Sequence, residues 1–285
     1  MKEAALRKEK RFDWLSFCLR WLVRAAALLT FALALFILGY ILAKGVPYLR
    51  PELFARKYTS ENVSMLPALL NTLSMTGLSL LIAAPLGVFS AVYLVEYAKR
   101  GSRVVKVIRL ASETLSGIPS IVYGLFGMIF FVTAMRWGYS LLAGAFTLAI
   151  MVLPLLMRTT EEALLSVPDS YREGSFGLGA GRLRTVFRIV LPAAAPGILA
   201  GVILAVGRIV GETAALIFTA GALEKLAQSP MRAAATLAVH MYHLAGEGFH
   251  IGQTYATAVV LIVLVLGING LSGFVAGRMT KGGKK

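Results

Sequence analysis

Six apolar runs, each near or above the ~20 residues that cross a hydrocarbon core, fix what this 285-residue chain can become. They fall at about Leu22–Ala43, Ala68–Val95, Val104–Ala134, Ser140–Met157, Ala193–Ala220 and Ala256–Ala276. In lipid, a backbone N–H or C=O finds no water, so a run of this length satisfies itself as a helix. A transmembrane barrel instead needs short alternating segments, which this sequence lacks. Composition agrees: 58% hydrophobic residues, 15% charged and a mean hydropathy of +0.75 exceed what one soluble core hides. The expected class is all-α, a polytopic membrane protein with six transmembrane helices.

The net charge of +15 does not point to nucleic acid, because the charges sit beside the apolar runs. Residues 1–24, which reach the start of the first run, carry seven basic side chains. That run is too long for a signal peptide and no small-residue cleavage site follows, so it reads as an uncleaved span. With the N-terminus in the cytoplasm, 21 of the 29 Lys and Arg fall inside and 7 outside, leaving Arg208 within a span. This bias places both termini and the 158–191 loop in the cytoplasm. The expected layout is a first span with flanking segments (1–67), a membrane core (68–277) and a basic tail (278–285). The single cysteine, Cys18, excludes an internal disulfide framework.

Few residues carry chemistry. On one continuous helix, Arg208 and Glu212 lie about 40° and about 6 Å apart, so they pair or face one cavity together. A charge at this depth costs at least ~2.5 kcal/mol, which favours a pathway facing the bundle interior. A structural ion pair is the competing reading. Arg offers a permanent charge and a planar fork suited to an oxyanion. Arg158 ends the fourth run as a snorkelling anchor or as a second cation on the same route. Gly117 and Pro119 interrupt the third run, as a kink or as a pathway element. Gly177, Gly179 and Gly181 lack the Gly-Lys-Ser/Thr of a phosphate-binding loop, so the chain has no ATPase site of its own. His240, His243 and Glu247 share a helical face, suited either to an interfacial helix or to a metal. No nucleophile–base pair stands out, and no cofactor or metal is expected on this chain.

The basic loop is the most specific stretch. Glu173-Gly174-Ser175, Gly179 and Ile189-Val190-Leu191-Pro192 reproduce the spacing EAA, three residues, Gly, nine residues, I-x-L-P. This resembles the cytoplasmic motif of ABC importer permeases, with Gly174 and Ser175 replacing two alanines. The Ser116–Gly127 run, the Arg208–Leu216 run and Arg158-Thr159-Thr160-Glu161-Glu162 are similar to segments of phosphate importer permeases of the PstA type. The likeness covers about residues 65–275. It implies a MetI-like permease fold in a bacterial or archaeal inner membrane. It also implies a PstC-type partner permease, a PstB-type ATPase dimer holding ATP and Mg, and a periplasmic phosphate-binding protein. Glu173, Gly179, Leu191 and Pro192 would couple to that ATPase. A permease for molybdate or sulfate is the nearest alternative, and a self-sufficient secondary transporter a more distant one.

Overall fold

The computed structural model describes residues 14–99 and 101–282; most of the basic N-terminal stretch and the extreme C-terminus lie outside them. Every regular element among the described residues is helical. Helix α1 (Trp14–Gly45) precedes two short turns, and α2 (Leu66–Val92) ends in a π-helical turn, Tyr93–Tyr97. Helices α3 (Arg103–Ser116) and α4 (Ser120–Gly127) follow, the latter prolonged by a π-helical stretch to Ala134. Then come α5 (Leu141–Leu165), α6 (Asp169–Gly177), α7 (Arg182–Thr185) and α8 (Leu191–Val210). The short α9 (Ala214–Ile217), α10 (Leu237–Glu247) and α11 (Ile251–Gly282) close the chain.

Helices α2, α5 and α8 form the centre, with α5 the most deeply enclosed of the long spans. Small residues set its approach distances. A Cβ on Gly87 of α2 would sit 2.8 Å from Leu156 of α5, and one on Gly197 of α8 2.7 Å from Ala163. Gly201 likewise lies against Thr159. Such contacts let membrane helices pack where apolar side chains gain nothing by leaving lipid. Not every glycine that looks suited to this work performs it: Gly77 and Gly207 face open space.

Helix α1 is exposed along nearly all its length and packs chiefly on α11. Gly45 lies against the Tyr255 backbone, and Gly252 lies against the Tyr48 ring.

Five helices are long and apolar enough to span, and the bent α3–α4 pair makes a possible sixth. Two sequence expectations change in shape. The third run is a corner of 102° at Ser116–Ser120. Pro119 caps α4 at ψ 142°, and the Tyr123 hydroxyl donates to the Leu115 carbonyl, 2.7 Å, across the bend. The fifth run starts earlier and stops sooner than hydropathy suggests. Arg182–Val210 is one helical run of 29 residues, so Leu191 and Pro192 lie inside a helix instead of in a loop. The chain then breaks at Gly211–Thr213 before α9.

Candidate functional site

At one end of the bundle α3, α5 and the last turn of α8 enclose a cavity of about 450 Å³. It follows α5 from Met151 to Leu165, roughly 21 Å of helix rise. Arg109, Arg158 and Arg208 line it, with Glu113, Glu161 and Glu162. Arg109 bridges α3 to α5 through Glu161 at 2.9 Å. Arg158 pairs with Glu162 on the next turn at 3.1 Å, both side chains largely exposed. Arg208 is exposed to the cavity and has no carboxylate within ion-pair distance among the described residues. A guanidinium without a carboxylate, in a cavity whose two other arginines are each paired, is the cavity's group best suited to an anion.

The helical geometry expected for Arg208 and Glu212 does not form. Arg208 lies in the last turn of α8, which ends at Val210, and Glu212 lies within the break, Gly211–Thr213. The Glu212 carboxylate accepts the Ala215 N–H at 3.1 Å, satisfying a free donor at the start of α9. Glu212 therefore shapes the break, while Arg158, expected only at the inner end, shares the cavity with Arg208. Gly117 and Pro119 form the α3–α4 corner beside it. Arg109 and Glu161 were not singled out from sequence; they meet across 52 positions, a distance no local spacing rule reports.

Toward the same end, α6 carries the motif residues. Glu173 is exposed, and Gly179 adopts φ +80° with open space around it, so its backbone conformation alone favours glycine. Phe176 and Leu178 are exposed at the tip, Leu178 by 91%. The neighbouring Arg172 is the opposite of Arg208. Its side chain is only 15% exposed and binds Glu96 at 2.7 Å, the Leu164 and Val167 carbonyls at 2.9 and 2.8 Å, and Asp169 at 3.2 Å. Ser175 and Thr185 share a buried hydroxyl bond of 2.8 Å that ties α6 to α7.

At the other end, the loops are equally tied. Asn71 at the head of α2 donates to the Lys225 and Ala235 carbonyls and accepts from the Ala227 N–H. His240 is buried in α10, with Nδ1 2.9 Å from Glu224, so α10 packs one face inward while Tyr242 and Glu247 stay exposed. No group of three metal-ligating side chains forms among the described residues. Burial alone would raise the Glu224 carboxyl, but hydrogen bonds from His240 and Tyr58 outweigh it and hold it below its ordinary value. Burial, together with Glu224, raises the Tyr58 phenol.

A multi-pass helical bundle with a charged cavity and an exposed loop helix defines a membrane permease that works with other subunits. The chain belongs to the family of binding-protein-dependent transport system inner membrane components, whose model matches residues 83–281. It is 37% identical over 250 residues to a probable ABC transporter permease, YqgI, of Bacillus subtilis, covering 81% of this chain and 84% of the relative. It is 37% identical over 238 residues to the phosphate transport system permease PstA of Haemophilus influenzae, with the same coverages. Among solved structures, a bacterial alginate ABC transporter complex has a chain that superposes with a TM-score of 0.68 at 19% identity, covering 94% of this chain and 98% of that one. That likeness concerns the fold.

Proposed function

We propose that this chain is the permease subunit of an ATP-driven phosphate importer, forming half of the path through the membrane. The observation that carries the reading is Arg208, a guanidinium with no carboxylate partner among the described residues, in a cavity also lined by Arg158 and Arg109. The identity to a phosphate permease supports the choice of anion. A tetrahedral oxyanion takes two parallel N–H bonds from one guanidinium, which a single-point cation cannot give. Arg208 and Arg158 would receive phosphate, and Glu212 would hold the break that ends α8 beside Arg208.

The other half of the path is a PstC-type permease, and the periplasmic phosphate-binding protein delivers from above. ATP and Mg belong to a PstB-type ATPase dimer below. Glu173 and the exposed Phe176 and Leu178 offer that ATPase a mixed polar and apolar face, and Gly179 turns the chain behind it. Leu191 and Pro192 lie within the helical run that leads the motion back toward Arg208. The α6 end and both termini face the cytoplasm, on the Lys and Arg bias. Tyr58 and Glu224 meet at the opposite end, as their contact requires.

The deciding experiment reconstitutes the complex in vesicles. The phosphate-loaded binding protein should stimulate ATP hydrolysis and phosphate accumulation, whereas sulfate and molybdate should not. Equal stimulation by sulfate would reassign the substrate, and uptake without any ATPase would make the chain a secondary transporter.

A further inference from the structure

We infer that Arg172 is a positioning residue that locks the α6 loop to the inner ends of α2 and α5, so that movement of α6 becomes movement of the cavity walls. The inference rests on the permease reading above and adds how force reaches the site.

A guanidinium has five N–H donors in a rigid fork. Here all of them are engaged. Nε points at both Glu96 oxygens, 3.1 and 3.4 Å, and Nη2 divides between Glu96 at 2.7 Å and the Leu164 carbonyl at 2.9 Å. Nη1 takes the Val167 carbonyl at 2.8 Å and Asp169 at 3.2 Å. Glu96 belongs to the π-helical turn that ends α2, and Leu164 is in the last turn of α5. The Leu164 carbonyl also accepts the Val167 N–H at 3.3 Å, so Arg172 adds a second, shorter bond there, and a cation at a helix C-terminus suits the dipole. One side chain on α6 thus holds two spans that the sequence separates by 76 and by 8 positions.

Beside this fork, α5 and α6 are joined by Ser166–Pro168, whose Val167 is buried in one cluster with Leu164, Val186 and Val190, and α6 is tied to α7 through Ser175 and Thr185; none of these reaches Glu96. With the fork, α6 cannot shift without carrying Glu96 and the end of α5. Both spans matter to the cavity, because α5 lines it from Met151 to Leu165 and α2 packs along α5. A planar fork bonded in several directions resists rotation and shear. An ammonium in its place would keep the charge and lose that rigidity.

The test uses the assembled importer in vesicles with its ATPase and binding protein, comparing Arg172→Lys and Glu96→Gln with the unaltered chain. The readout is phosphate accumulated per ATP hydrolysed, measured per assembled complex. Both variants should hold the ATPase and hydrolyse ATP, while this ratio falls about tenfold, within the usual range of coupling between sites. An unchanged ratio overturns the inference whatever the yield, because a merely structural bond lowers only the amount of complex. Should Arg172→Lys not assemble, the near-isosteric Glu96→Gln decides alone. Failure of the unaltered complex to accumulate phosphate would instead sink the permease reading, a distinct result.

Discussion

Arg172 and Arg208 carry the same charge in opposite settings. Arg172 is nearly enclosed, and every donor has an acceptor. Arg208 is exposed to a cavity, lies in the last turn of a helix before a break and, among the described residues, has no carboxylate within ion-pair distance. A saturated guanidinium has no capacity left for a ligand, so its contribution is geometric. An unsaturated one has been brought into the membrane at a cost and left with donors to offer. Counting acceptors, more than locating charge, separates a guanidinium whose donors are all spent on its own chain from one left with donors to offer.

The contrast breaks most easily at Arg208. Arg208→Gln should lower phosphate uptake by a hundredfold or more, the scale expected when a charge-assisted contact of roughly 3 kcal/mol is removed. The complex should assemble normally, since no ion pair is broken. Arg208→Lys keeps the charge but not the fork and should lie between. Adding Glu212→Gln should not restore transport; recovery in the double variant would mean that the two are partners after all. Uptake assays alongside quantified membrane protein check all three.

Gly179→Val should come next. The φ of +80° strains any β-branched residue by about 1–3 kcal/mol, at a position with no neighbours to clash. Uptake should fall about tenfold or more while the permease inserts, with the loss traced to weakened ATPase co-purification. Glu161→Gln tests a third setting, between the extremes, because its partner Arg109 is half exposed. Thermal stability should change by less than ~1 kcal/mol, and the KM for uptake should shift more than the maximal rate. A large stability loss would place this bridge with Arg172.

The smallest effect belongs to the far end. Glu224 is held below its ordinary value when folded, so its stabilisation is complete above the ordinary carboxylate pKa and is lost as pH falls through the folded value. The melting temperature of the solubilised chain should fall as pH drops below the ordinary carboxylate range, and Glu224→Gln should flatten that slope. A single-cysteine survey sharpens the orientation. On a Cys18→Ser background, cysteines at Thr59 and Lys225 should label from outside and one at Ser102 only from inside.

Sequence showed the spans plainly, because twenty apolar residues in a row have few alternatives in lipid. It also showed Gly179, where a fixed motif position coincides with a backbone conformation most residues avoid. The corner at Pro119 was legible as an interruption but not as a right-angle turn. Helix α3 half-buries Val105, Ile108, Ser112 and Leu115 along one face, and a hydropathy window averages that pattern into a span. The end of α8 was hidden for a similar reason, since Gly211-Glu212-Thr213 is embedded in apolar sequence on both sides. Arg172–Glu96 and Arg109–Glu161 were invisible because each joins distant segments, and only tertiary packing chooses such partners. Arg208 could be found because a cation inside an apolar run has so few innocent explanations.

The seam between α1 and α11 has a consequence for how the protein is made. Ribosomes deliver the first span long before the last, yet α1 has its main neighbour in α11, with Gly45 seated on the Tyr255 backbone and Gly252 under the Tyr48 ring. During synthesis the first helix therefore waits in the lipid without its partner while some two hundred further residues are inserted. Sealing that seam is a late event in biogenesis, and a nascent chain halted before Gly252 should leave its first helix open to capture by another membrane protein or by the quality-control proteases that survey unpaired spans.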